Sequence, residues 1–422
     1  MRLSHWLGIG VLLALLTATP GPGQATDANR FESLKRFSQV IELIEKSYVK
    51  DIKRNELVTG ALKGMLGDLD PHSAYMAPDD FEEMQMETSG EFNGIGIQIS
   101  MENGRLTVVS PIEDTPAYEA GLQSGDVIME INGEPTQDIT LMEAVKKIRG
   151  PKGSSVELTI LHPDADKPET ITVKRDTIPL ESVKSEPLGQ GYLYLRITNF
   201  QEKTTADLKQ ALKDHAESLS GAILDLRNNP GGLLPQAVSV ADLFLDKGKI
   251  VYTEGKVKNA QMEFSAQEQN SDIEVPLIVL INSGSASASE IVAGALQDHN
   301  RAVLLGERSF GKGSVQTVIP LADGAGIKLT TALYYTPNGR SIQAEGIAPD
   351  IVVPFVPAPE TNGTARHIIR EQDLTRHLER EDQPQDQGVE RSDKAKEMLQ
   401  KDNQLRMALQ LVKSLPRLQR IH

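Results

Sequence analysis

Cysteine is absent from all 422 residues. That absence removes disulfides, thiolate nucleophiles, sulfur-ligated zinc sites and a lipid-modified cysteine anchor. An excess of positive charge is missing too. The 44 Lys and Arg face 59 Asp and Glu, a formal net charge of −15, which argues against nucleic acid or anionic lipid as the main partner. No apolar run reaches the roughly 20 residues that a membrane-spanning helix needs. Histidine is scarce, and no Gly-x-Ser-x-Gly elbow, internal repeat or heptad array is visible. What remains is an ordinary globular composition, 39% hydrophobic and 24% charged. At roughly 150 residues per domain, the length suits two or three domains, each with its own core.

Arg2 precedes an apolar run from Trp6 to Leu16, followed by Thr17-Ala18-Thr19-Pro20 and a Gly/Pro/Ala stretch. A charged start, about a dozen apolar residues and small residues after them are the pattern of a secretory signal, assigned to residues 1–25. The expected location is therefore exported, in a bacterial periplasm, with the signal cleaved.

Beyond the signal, residues 30–90 read as a helical region. Phe31, Leu34, Phe37, Val40, Ile41, Ile44 and Tyr48 recur at three- and four-residue steps and give one apolar stripe. Residues 91–176 read as a small β-rich domain, with helical spacing only at Pro116–Ala120 and Leu141–Ile148. Residues 177–354 alternate short β runs with helical stretches, the pattern of a layered α/β domain. Residues 355–422 read as a polar linker and an amphipathic tail whose apolar face must dock on its own body or on a second subunit.

Two glycines mark the β-rich domain. Gly94-Ile95-Gly96-Ile97 opens a strand where backbone N–H groups can approach a ligand and form a nest for an anion such as a terminal carboxylate. Gly121-Leu122, Gly125-Asp126-Val127-Ile128 and Ile131-Asn132-Gly133 follow. Together these resemble a PDZ domain, which implies a peptide added as an extra strand with its C-terminus in the glycine loop. The alternation of Ile95, Ile97 and Ile99 predicts an apolar side-chain pocket, hence partners with apolar C-termini.

In the α/β domain, the apolar strand Leu277–Ile281 runs into Asn282-Ser283-Gly284-Ser285-Ala286-Ser287-Ala288-Ser289-Glu290 and then a helical run. A serine between a strand end and a helix start is well placed for attack, because free N–H groups there can stabilise an oxyanion. Spacing alone leaves Ser285, Ser287 and Ser289 open. Asp298 and His299 would lie roughly 16–18 Å from Ser287 along an unbroken helix, which excludes a histidine triad built from them. Lys312, between Gly311 and Gly313, is the better base, since an apolar setting lowers a lysine pKa. Gly306–Gly313 misses a phosphate-binding loop at its last position, where Gly313 replaces the hydroxyl residue that would hold magnesium. No nucleotide, metal or other cofactor is implied.

Gly284–Ile291, with Gly306-Glu307, Phe310–Gly313 and Gln316, resembles the carboxyl-terminal processing (tail-specific) proteases, subfamily A of peptidase family S41. Leu69–Ser73, Asp225–Gly232 and Gly346–Asp350 extend the likeness over nearly all the chain after the signal. The resemblance implies a multidomain α+β protein: a PDZ domain plus an α/β layered, ClpP/crotonase-like serine protease domain, with helical N- and C-terminal segments. It implies Ser287 as nucleophile, Lys312 as base and Gln316 as the residue orienting the lysine. Gly231 or Gly232, with the Ser287 or Ala288 amide, would form the oxyanion hole. Asp298 matches an acidic position of the family, but its distance gives it a structural role. A homo-oligomer and a membrane-anchored adaptor are further expectations. The alternative is a non-proteolytic PDZ-containing scaffold that binds peptides.

Overall fold

The computed structural model describes residues 22–102, 104–112, 114–163, 165–257, 261–268, 273–357 and 391–418, with backbone alone for 22–30 and 416–418. The expected signal run and most of the expected linker lie outside them. The chain forms two compact units, residues 1–75 and 76–422. The first carries the helices Pro22–Ser47 and Arg54–Gly67, joined by a charge pair between Arg54 and Glu45 at 2.5 Å. On the longer helix, Phe31, Leu34 and Leu43 are exposed although Phe31 and Leu34 belong to the apolar stripe.

The second unit begins with the helix Pro78–Ser89 and contains the β-rich domain. Its sheet has the order Ile97–Glu102, Arg105–Pro111, Val127–Ile131, Ser155–Leu161, Glu169–Lys174, so Ile97–Glu102 is an edge strand. The helix Leu141–Ile148 packs on it, started by a capping box between Thr140 and Glu143. Leu106, Val108, Ile128, Val156, Leu158 and Ile160 form the core from alternate strand positions. Gly94 closes a preceding strand, Glu91–Gly94, instead of opening the edge strand, which starts at Ile97.

The larger domain is built on a sheet in the order Val183–Pro187, Tyr192–Ile197, Gly221–Asp225, Leu277–Ile281, Val303–Gly306, Ile351–Val352. The first pair is antiparallel and the others are parallel. Its central strands read as continuous apolar runs because both faces are covered. Leu193, Leu195, Ile197, Leu224, Val279 and Ile281 point to one face, against the helices Thr204–Lys213, Leu234–Asp242 and Ala288–Asp298. Tyr194, Ile223, Ile278 and Leu280 point to the other, against Leu399, Leu405, Leu409 and Val412 of the tail helices Asp393–Lys401 and Asn403–Leu418. The apolar tail face is thus docked on its own body. Each such buried aliphatic side chain contributes about 1.5–3 kcal/mol, so the tail is a layer of the fold.

A second, antiparallel sheet pairs Ser314–Pro320 with Gly326–Tyr335, Gly326–Tyr335 with Gly248–Gly255, and Gly248–Gly255 with Glu263–Ala266. These half-polar strands alternate weakly in the sequence and are not anticipated there. Their role is positional: Lys312 sits just before the first of them.

Candidate active site

The three serines at the start of the Ala288–Asp298 helix differ sharply in environment. Ser285 is fully buried; its hydroxyl donates to the Leu226 carbonyl at 2.8 Å and accepts the Asn282 N–H at 3.0 Å. Ser289 is fully buried and donates to the Asn229 carbonyl at 3.0 Å. Ser287 alone is partly accessible, with φ of +55°. A non-glycine residue in that backbone region is strained, and such strain gathers where a side chain must be aimed at a site. The strain is held by a buried carboxylate: Glu290 Oε2 accepts the Ser287 N–H at 2.8 Å.

The same carboxylate reaches the lysine loop. Glu290 Oε2 accepts the Lys312 N–H at 2.9 Å, and Oε1 accepts the Gly311 N–H at 2.7 Å and the Ser309 hydroxyl at 2.6 Å. Four donors on one carboxylate satisfy it fully, which is what permits its complete burial. Glu290 gains no role from the sequence reading, although Ser-x-x-Glu at a helix start is a capping-box signal. Tyr334 is the other unanticipated neighbour. Its hydroxyl donates to the Lys312 carbonyl and lies beside Ser287. Burial pushes the phenol up, so it stays protonated and remains a donor.

Lys312 is half-buried, and its ammonium is held below the ordinary lysine value. Loss of water is the larger cause; the nearby Lys328 cation adds to it, and Glu290 opposes it. No hydrogen bond joins Lys312 Nζ to Ser287 Oγ or to Gln316 among the described residues. The Gln316 amide donates instead to the Ser314 hydroxyl at 2.8 Å and its carbonyl at 3.1 Å. Catalytic hydrogen bonds in a ligand-free enzyme are commonly longer than in the complex with substrate.

Gly231 faces Ser287 directly: a Cβ there would lie 2.7 Å from Ser287 Cβ and 3.0 Å from the Ala288 nitrogen. Its own N–H donates to Asn229 Oδ1 at 2.9 Å. Gly232 faces the Phe200 carbonyl, 2.2 Å from an added Cβ, and its N–H meets no acceptor among the described residues. The Ala288 N–H, at the first position of its helix, is likewise unpaired there. Asp298 is anchored elsewhere, accepting the Asn338 N–H at 2.9 Å and pairing with Arg340. His299 Nε2 bonds the Lys249 carbonyl at 2.7 Å. Neither joins Ser287.

In the β-rich domain, Phe92, Gly94, Ile95, Gly96, Ile97 and Ile99 line a cavity of about 90 Å³, closed by Val145, Ile148 and Arg149 from the helix side. The Ile95 and Gly96 N–H groups take no acceptor among the described residues, and Gly96 holds φ of +81°. Ile95 itself is sunk in the core, leaving Ile97 and Ile99 as half-exposed wall. The Arg149 guanidinium lies 5.0 Å over the Phe92 ring. A groove beside an unpaired strand edge, ending in free N–H groups and a cation, can take an extended peptide and an anion together.

Comparison with known proteins assigns families to both domains. Residues 191–353 match peptidase family S41, residues 83–161 match the PDZ domain, and residues 17–80 match the N-terminal domain of the activating protease CtpB. The chain is 46% identical over 376 residues to a carboxy-terminal-processing protease of Bartonella bacilliformis, covering 88% of this chain and 86% of that one. It is 42% identical to a carboxyl-terminal-processing protease of Synechocystis, over 74% of each chain. Carboxy-terminal processing protease CtpB of Bacillus subtilis is 38% identical over 80% of this chain and 71% of its own. A PDZ domain, an S41 domain and this level of identity put the chain in one family: it is a carboxy-terminal processing serine protease of peptidase family S41.

Proposed function

We propose that the protein is an endopeptidase that captures the C-terminal end of a substrate in its PDZ groove and cleaves peptide bonds with a Ser287–Lys312 dyad. The observation that carries the dyad is the shared Glu290 carboxylate, which ties the backbones of both residues to one oxygen. Neutral Lys312 takes the Ser287 proton as Oγ attacks the carbonyl carbon. The Ala288 and Gly232 amides, both unpaired among the described residues, stabilise the oxyanion. Lys312 returns the proton to the leaving amine, and water then releases the acyl group by the same route. Gln316 turns from Ser314 to the lysine when substrate engages.

The apolar walls Ile97, Ile99, Val145 and Ile148 support a preference for apolar C-terminal residues. Replacing Ser287 or Lys312 by Ala is expected to abolish cleavage of a C-terminally apolar peptide while the fold persists. Retained cleavage in either variant contradicts the dyad.

The Trp6–Leu16 run supports export to the periplasm with cleavage of the signal; a full-length, cytoplasmic product on cell fractionation would contradict it. Phe31, Leu34 and Leu43, 73%, 66% and 64% exposed, support a homo-oligomer formed through the first helix. Sedimentation as a monomer would remove that reading. A membrane-anchored adaptor is the remaining proposed partner, tested by recovery of the protease with a membrane protein after crosslinking in cells.

A further inference from the structure

The turn that faces Ser287 is held by the far end of the chain. Arg227 is 8% exposed and stands two residues past the Gly221–Asp225 strand. Its guanidinium donates to both oxygens of Asp225, Nε at 2.9 Å and Nη2 at 2.6 Å. Nη2 also reaches Asp402 Oδ2 at 2.6 Å, and Nη1 reaches Gln404 Oε1 at 2.7 Å. Asp402 and Gln404 lie at the junction of the two tail helices. Each is fixed on a second side: Asp402 Oδ1 accepts the Leu405 N–H at 2.9 Å, and the Gln404 amide donates to the Val353 carbonyl at 2.6 Å.

From Arg227 the chain runs straight into the contacts of the Ser287 turn. Leu226 accepts the Ser285 hydroxyl, and Asn229 accepts both the Ala286 N–H at 3.0 Å and the Ser289 hydroxyl. Asn229 also binds the Gly231 N–H. Covering the sheet would require only the apolar face of the tail. A carboxylate and an amide aimed at one buried guanidinium are a separate, directional device, because a planar guanidinium fixes the orientation of whatever it binds.

We propose that Asp402 and Gln404 are positioning residues for catalysis, acting through Arg227 to hold the Leu226–Gly232 turn against Ser287. The inference rests on the reading of Ser287 as nucleophile. The full chain is tested as Asp402→Asn, with Leu409→Ala as an apolar control on the same tail. Two readouts are taken at a temperature where each variant is folded. One is the rate at which a fluorophosphonate labels Ser287, which needs no peptide capture. The other is the split between kcat and KM on a free-acid peptide.

Asp402→Asn is expected to slow labelling and kcat at least about tenfold, toward the roughly 100-fold that a misplacement of about 1 Å costs, with KM unchanged. Leu409→Ala is expected to lower the melting temperature while labelling proceeds at the wild-type rate. Wild-type labelling in Asp402→Asn, a change in KM alone, or an equal fall in Leu409→Ala overturns the proposal. If Asp402→Asn does not fold, Gln404→Met carries the same readouts and outcomes. Normal labelling of Ser287→Ala would instead overturn the nucleophile reading and this inference with it, so the two failures are distinct.

Discussion

Ser287 and Lys312 hold the same oxygen: Glu290 Oε2 accepts the backbone N–H of one at 2.8 Å and of the other at 2.9 Å. Their side chains share no hydrogen bond, yet their backbones cannot move independently. A buried carboxylate shared in this way fixes the two backbones relative to each other.

Glu290→Gln removes the charge and presents an amide NH₂ to donors. Hydrogen bonds to a charged acceptor are worth about 1.5–3 kcal/mol each, so a loss of at least about 3 kcal/mol in stability is expected. The kcat should fall about 100-fold with little change in KM, since the misplacement is local to the reacting groups. Denaturant unfolding together with peptide kinetics checks both; wild-type kcat would show that Glu290 does not position the dyad.

The three serines should separate cleanly. Ser285→Ala strands the Asn282 N–H and leaves the Leu226 carbonyl only the 3.3 Å bond from the Asn229 N–H, and Ser289→Ala removes one donor to Asn229. Each is expected to lose about 1–3 kcal/mol of stability while keeping measurable cleavage. Ser287→Ala, which leaves no buried partner unpaired, should keep its stability and lose cleavage. Thermal melts and peptide assays on the three variants would reveal any exchange of these roles.

The pH profile follows from the lysine. As a base Lys312 must be neutral, so kcat/KM rises with pH through its pKa. Burial, aided by Lys328, puts that limb below the ordinary lysine value of about 10.4. Lys328→Gln removes a cation that disfavours the ammonium form, so the Lys312 pKa rises and the limb moves to higher pH. A limb that stays in place or moves toward acid contradicts the assignment.

The PDZ groove gives a prediction about the substrate end. Amidating the C-terminus of a peptide removes the anion that the Ile95 and Gly96 N–H groups and Arg149 would meet. KM is expected to rise about tenfold or more. Gly96→Ala, whose Cβ would lie 2.3 Å from the Thr115 hydroxyl at φ of +81°, should raise KM for the free acid by a similar factor. Equal KM for acid and amide would exclude carboxylate capture.

The sequence and the structure carry different parts of this account. The strands Tyr192–Ile197 and Leu277–Ile281 and the helix Leu141–Ile148 are legible because apolar periodicity reports burial directly. The sheet containing Gly326–Tyr335 is not, because its half-polar strands lack a clean alternation. Ser287 cannot be told from Ser285 and Ser289 by spacing; the resemblance singles it out, and the structure separates the three by burial and hydrogen bonding. Tyr334 and the Arg227–Asp402 pair join residues far apart in the chain, and no local pattern reports such contacts.

The central claim is that Lys312 deprotonates Ser287. The most direct test is mass spectrometry of the protein after fluorophosphonate treatment, with labelling followed over time in the wild type, Lys312→Ala and Ser287→Ala. The account predicts one adduct, on Ser287, absent in Ser287→Ala and slowed by about 10²–10⁴ in Lys312→Ala. An adduct on a different serine, or wild-type labelling without Lys312, would contradict it.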